Sequence, residues 1–156
     1  MPTNIKMTDI KTQEERSLNM AKIRSKNTKP EVWLRGQLFR RGYRYRKNAG
    51  SITGHPDIWL RKYDTAVFVN GCFWHRHSGC KYAYMPKSRV EFWADKFSQN
   101  MERDGRVKEE LEKQGIRILI VWECTIKKMC RSIENETEIM GMIECFLNSD
   151  KRYLEL

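Results

Sequence analysis

Apolar residues recur along this chain in two rhythms, one of helical and one of strand period, separated by glycine and proline. Thr28-Lys29-Pro30-Glu31 predicts a helix start. Threonine can cap, proline suits the first turn, and Glu31 stands three residues after Thr28 as a capping-box partner. Leu34 and Leu38 then share a face, and Gly42 ends the helix. Tyr43-Arg44-Tyr45-Arg46 alternates and predicts a short strand or sheet edge. After Gly54-His55-Pro56, Asp57-Ile58-Trp59-Leu60 opens a strand, Arg61 to Asp64 supply a turn, and Thr65 to Asn70 form a second strand. Paired as an antiparallel hairpin, the two set Asp57 roughly opposite Val69.

A long helical pattern follows, from Val90 to Gln114. Phe92, Trp93, Phe97, Met101, Val107 and Leu111 fall near one another on its wheel. Asp104 occupies the same stripe, where an apolar residue is expected, and Gly105 beside it predicts a kink or bent end. Gly115 stops the helix. Ile116 to Trp122 is the most continuous strand pattern in the chain, with Glu123-Cys124 at its C-terminal end. Thr137 to Leu147 predicts a last amphipathic helix through Ile139, Met140, Ile143 and Phe146. The alternation of helix and strand gives the α/β class. Residues 1–27 are polar and basic, with Leu18, Met20 and Ile23 as docking residues and at most a short helix near Glu15–Arg24. Two readings stand there, a frayed terminus and an arm that orders on a phosphate backbone. Residues 28–156 make one domain.

Charge narrows the partners. Lys and Arg outnumber Asp and Glu 30 to 20, a formal net charge of +10. That balance draws polyanions, nucleic acid first and anionic membrane second. No long apolar span supports the membrane, and Met1-Pro2-Thr3-Asn4-Ile5-Lys6 is no signal sequence, so a cytoplasmic protein is expected; a monomer is expected as well. Five cysteines, an odd number without a secretion signal, speak against a disulfide framework and for metal ligation.

Chemistry concentrates in Gly71-Cys72-Phe73-Trp74-His75-Arg76-His77-Ser78-Gly79-Cys80. Cys72, His77 and Cys80 have the compact spacing of zinc ligands, with Cys124 better placed than Cys130 or Cys145 to be the fourth; buried thiols without metal are the plain alternative. His75 is left over as an alternative zinc ligand, a surface histidine or a general base. Asp57, after a proline at a strand edge, is either a turn-capping aspartate or a magnesium carboxylate. Glu31 and Asp104 are further acids, whose plain readings are a capping box and a helix break. Phe73 and Trp74 cannot both point inward from an extended strand, so one faces outward or into a ligand. With Trp93 they are candidate wedges for a duplex.

Taken together, Arg16-Ser17-x-Asn19-Met20, Thr28-Lys29-Pro30-Glu31, Gly54-x-Pro56-Asp57, Asn70-Gly71-Cys72-Phe73-Trp74-His75, Glu91-Phe92-Trp93, Asn100-x-Glu102-Arg103-Asp104 and Val121-Trp122-Glu123-Cys124 occur in the order of one family. From about Glu15 to Lys127 the chain resembles the very-short-patch mismatch repair endonucleases of bacteria. The resemblance implies a restriction-endonuclease-like core, a central mixed β-sheet flanked by helices, with a structural zinc and a magnesium-dependent nicking site. It implies Asp57 as the magnesium carboxylate, joined by the Val69 carbonyl, and His75 as the catalytic histidine. Glu31 and Asp104 would be supporting acids, with Asp104 partnering His75. Cys72, His77, Cys80 and Cys124 would hold zinc. Phe73, Trp74 and Trp93 would be the wedge beside a T·G mismatch left by 5-methylcytosine deamination. The basic N-terminal arm, with Arg16, Asn19 and Met20, would clamp the DNA, and other mismatch-repair proteins would be further partners. The chain departs from a family pattern of threonine and histidine at Val69 and Asn70, and the Cys72–Cys80 interval is one residue longer near Ser78-Gly79. Two competing readings are a restriction-type DNase with another substrate and a zinc-stabilised DNA-binding module without catalysis.

Overall fold

The computed structural model describes residues 12–15, 18 and 26–156. Residues 13–15 and 18 are helical; helix α1 (Lys29–Arg40) follows, then β1 (Arg46–Lys47), β2 (Ile58–Leu60), a 3-10 turn at Arg61–Tyr63, and β3 (Thr65–Asn70). Helix α2 (Val90–Lys113) leads to β4 (Arg117–Trp122), α3 (Glu123–Arg131), α4 (Ile133–Leu147) and β5 (Tyr153–Glu155). The strands form one sheet in the order β1-β2-β3-β4-β5. The first three are antiparallel, whereas β3–β4 and β4–β5 are parallel, so the sheet is mixed. This is the expected α/β architecture.

Period-two alternation sends successive strand residues to opposite faces. Ile58, Leu60, Val67, Leu119 and Val121 face one way, onto Leu34 and Leu38 of α1, Ile126 and Met129 of α3, and Ile139, Met140 and Ile143 of α4. Trp59, Ala66 and Ile118 face the other way, onto Leu111 and Val107 of α2. The crossover helix between two parallel strands thus covers one face and the remaining helices cover the other. The Ile58↔Val67 register leaves the end of β3 and the start of β2 at the same sheet margin, and β4 ends beside β3 through Asn70↔Trp122. Three chain segments that carry chemistry therefore converge there.

Several local expectations shift. Helix α1 ends before Gly42, whose φ of 90° suits glycine, but Tyr43 does not begin a strand. Its N–H donates to the Leu38 carbonyl and its ring packs 5.5 Å from Tyr63. Tyr43 thus closes the helix, and pairing waits until Arg46. Helix α2 runs unbroken through Gly105, where the missing side chain has no neighbour to avoid. Its stripe is wider than its contact with the sheet: Phe97 and Leu111 are buried, but Phe92 and Met101 are 47% and 56% exposed. Helix α4 begins at Ile133 because Ser132 caps it, accepting from the Asn135 N–H. Helix α3 and strand β5 were not anticipated. The first follows β4 with no intervening turn residue, and the second is a three-residue edge tied in partly by Trp122 Nε1, which donates to Glu155.

Candidate active site

Asp57 stands just before β2, and extension of the ladder puts its backbone beside Phe68, one residue from the expected partner. Its side chain spans the difference: Oδ2 accepts the Val69 N–H at 2.7 Å. Burial pushes the Asp57 carboxyl up to about 6; the Val69 N–H opposes the rise and the neighbouring Glu31 adds to it. A carboxyl so placed is short of positive charge.

Glu31 is not half of a capping box. Thr28 makes no side-chain bond to the helix N–H groups; its hydroxyl donates to Glu31 Oε1 at 3.0 Å. Glu31 Oε2 accepts the Asn27 N–H at 2.9 Å and Arg35 Nη2 at 3.1 Å. Only 3% of Glu31 is exposed. Such burial of an acid requires a partner, and Arg35, one turn further along α1 and 4% exposed, supplies it. Arg35 also donates to Asn27, to Asn48 and to the Asp57 carbonyl, so it underlies both carboxylates. Sequence reasoning passed over Arg35. Its i,i+4 spacing from Glu31 was the available signal.

His75 comes from the turn after β3, where its N–H is held by the Gly71 carbonyl. Its Nδ1 lies 2.6 Å from Asp104 Oδ2, a contact that joins residues 29 positions apart. A carboxylate only accepts, so the proton in this bond sits on Nδ1, and in the neutral ring Nε2 is left to accept. Asp104 thus has a polar reason for interrupting the α2 stripe. Another α2 residue, Asn100, donates to the Trp74 carbonyl and fastens the same turn. Glu31, Asp57, Val69, Asn70, His75 and Asp104 all line one cleft of about 1100 Å³, with Lys29, Arg103 and Lys108 on its walls. Acids at the floor and cations at the rim suit a phosphodiester backbone.

Cys72, His77, Cys80 and Cys124 gather beside the cleft, and their ligand atoms all lie within 4.8 Å of one another. His77 Nδ1 is 3.6 Å from Cys72 Sγ and 3.4 Å from Cys124 Sγ, while its ring stacks on Trp122 at 4.2 Å. Burial pushes the Cys72 thiol up to about 12. The four could hold a metal ion. His75 is outside this set, although it is three residues from Cys72. Ser78 and Gly79, between His77 and Cys80, are both exposed, and Cys80 lies within the cluster.

Phe73 and Trp74 are both half-buried, because residues 71–75 turn instead of extending. Their rings meet edge to face at 5.2 Å, and Trp93 lies 5.4 Å from Phe73 and 5.8 Å from Trp74. The three candidate wedge residues therefore form one cluster. Arg16, Asn19, Met20 and most of the expected arm lie outside the described residues.

Neighbouring carboxylates, a histidine–carboxylate pair and a cationic rim are the equipment of a hydrolase that acts on nucleic acid. A family model described as DNA mismatch endonuclease Vsr matches residues 8–81. The Type II nicking enzyme V.NmeAIP of Neisseria meningitidis serogroup A is 51% identical over 127 residues, 80% of this chain and 90% of that protein. The Type II nicking enzyme V.XorIIP of Xanthomonas oryzae pv. oryzae is 40% identical over 123 residues, 79% of this chain and 90% of that one. The DNA mismatch endonuclease Vsr of Escherichia coli K12 is 38% identical over 121 residues, 78% of this chain and 77% of that one. The chain belongs to the Vsr family of DNA mismatch endonucleases, and its class is that of a DNA endonuclease. No helix among the described residues is long and apolar enough to cross a membrane.

Proposed function

We propose that this protein nicks one strand of duplex DNA beside a T·G mismatch by hydrolysis of a phosphodiester, the opening step of very-short-patch repair in the bacterial cytoplasm. The observation that carries the reading is the 2.6 Å contact between His75 and Asp104 in the same cleft as Glu31 and Asp57. In this account His75 Nε2 accepts a proton from the attacking water. Asp104 keeps the opposite nitrogen protonated, fixes the ring and stabilises the imidazolium that forms. Glu31 and Arg35 hold Asp57 in place from below.

The oxygen set fits a hard cation. Asp57 carries a carboxyl raised by burial, and the Val69 carbonyl and Glu31 border the same cleft. Magnesium held by Asp57 and the Val69 carbonyl would supply positive charge to the scissile phosphate. Valine keeps the carbonyl that the family uses, and Asn70, buried in the cleft lining, stands where the family has a histidine. The sulfur and nitrogen set fits zinc, which favours four such ligands in a closed tetrahedron. Its role is structural: Cys72, His77 and Cys80 fasten the turn that bears His75, while Cys124 fastens it to the start of α3. Phe73, Trp74 and Trp93 would enter beside the mismatch, where stacking is already weakened. Arg16, Asn19 and Met20 of the arm would close over the DNA, with other mismatch-repair proteins acting before or after the nick.

The test compares wild type with His75→Ala and Asp57→Ala on a T·G duplex with magnesium. Both variants should lose nicking while still binding the duplex. Wild-type rates from both would overturn the mechanism.

A further inference from the structure

Arg76 follows the candidate wedge residues Phe73 and Trp74, and an arginine free to reach a duplex there would serve as a phosphate contact. Its donors are directed elsewhere. Nη1 donates to the Phe73 carbonyl at 3.1 Å and to the Tyr84 carbonyl at 3.1 Å, and Nη2 donates to the Ala83 carbonyl at 2.8 Å. The guanidinium also lies over the Phe97 ring, 3.9 Å from its centre. Three charge-assisted bonds and a stacked face occupy most of the fork. The Arg76 backbone has a φ of 55°, in the left-handed region that arginine seldom adopts.

The bonded carbonyls belong to the two ends of one segment. Phe73 begins it and Ala83 and Tyr84 end it, with His77 and Cys80 of the cysteine–histidine cluster between them. The cluster secures the middle of the segment, and Arg76 joins its ends. That closure brings the Tyr84 ring to 5.2 Å from Phe73 and seats Phe73 at 5.1 Å from Phe97. Phe73 therefore has support on its sides and beneath it, and Trp74 and Trp93 pack around it.

We propose that Arg76 is a positioning residue for the aromatic wedge, and that it sets preference for a mismatched duplex rather than general affinity for DNA. The proposal rests on the mismatch-nicking reading above. Lysine offers the same charge but neither the planar fork nor the stacking face, so Arg76→Lys separates positioning from charge.

The experiment uses the full chain as wild type, Arg76→Lys, Arg76→Gln and Phe97→Leu. It measures single-turnover nicking of T·G and T·A duplexes, salt dependence of duplex binding, and bound metal per chain. Arg76→Lys and Arg76→Gln should each lower the T·G over T·A rate ratio about tenfold or more, the scale of one lost charged hydrogen bond. The slope of log affinity against log salt should stay at the wild-type value. Phe97→Leu, which removes the ring beneath both the Arg76 guanidinium and Phe73, should lower the ratio in the same direction and tests the seating of Phe73 without touching the guanidinium's hydrogen bonds. A wild-type ratio in Arg76→Lys, with a slope reduced by about 0.9 in Arg76→Gln, would make Arg76 a phosphate contact and overturn the proposal. Wild-type ratios in all three variants would overturn it as well. A ratio near one in the wild type would instead remove the mismatch reading, and this proposal with it.

Discussion

Asp57→Asn removes one charge from the floor of the cleft and keeps an oxygen that can accept the Val69 N–H. The Asp57 carboxyl is moved from 3.8 to about 6, first by burial and then by Glu31. A folded-state value above the unfolded one means that the folded protein binds the proton more tightly. The resulting stability is fully present below about pH 4 and is lost as pH rises through about 6. A rise of that size corresponds to about 3 kcal/mol, and partial exposure to solvent reduces this to about 1–3 kcal/mol. Without added magnesium at pH 7.5, Asp57→Asn should therefore be more stable than wild type by that amount, or about 2–10 °C in Tm for a chain of this size. Urea unfolding of both proteins from pH 5 to 8 gives the difference directly, and effects of the cysteine–histidine cluster cancel in it. The stability gain should shrink towards pH 5. Nicking should be lost at every pH. Equal or lower stability of the variant at pH 7.5, or a gain that does not depend on pH, would refute the view that the carboxyl is held at a cost to the fold.

Other outcomes follow from single contacts. Asp104→Asn and His75→Ala should each lower the nicking rate about 10²–10⁴-fold, and the double variant should be little worse than His75→Ala, because the two act as a unit. Additive losses in single-turnover assays would contradict the pairing. Cys124→Ser should release the bound metal, read by elemental analysis, and lower the Tm; full metal content in the variant would remove Cys124 from the ligand set. Gly54→Ala should destabilise by about 1–3 kcal/mol, since a Cβ there would lie 2.4 Å from Val107 Cγ1 and the backbone has a φ of 79°. An unchanged urea midpoint would show that the loop before Asp57 moves more easily than its packing against α2 implies.

The parts of the fold legible in the sequence were those whose cause is local or periodic. Pro30 and Gly42 bracket α1, the near-continuous apolar runs of Thr65 to Asn70 and Ile116 to Trp122 mark the two central strands, and the long stripe marks α2. Helix α3 was hidden because β4 passes into it without a punctuating residue, and β5 because three residues at an edge carry no period. Tyr43 looked like a strand residue but is consumed in closing a helix, a choice made by its contact with Tyr63. At the site, Asp104 was visible as a charge on an apolar stripe. Its meaning depended on His75, 29 residues away, and no local rule relates them. Arg35 was missed for the opposite reason. Its i,i+4 spacing from Glu31 was the one sequence signal, and on so basic a chain that spacing is too common to single it out before its burial beneath Glu31 and Asp57 is seen.

Magnesium-dependent nicking at a mismatch is the central claim. The direct measurement is cleavage of end-labelled T·G and T·A duplexes, identical except at that pair, with and without magnesium and with the cut mapped to the nucleotide. One cut is expected, in one strand, adjacent to the T of the T·G pair, and only when magnesium is present. Equal cleavage of both duplexes, cleavage of both strands, or nicking without a divalent ion would contradict it.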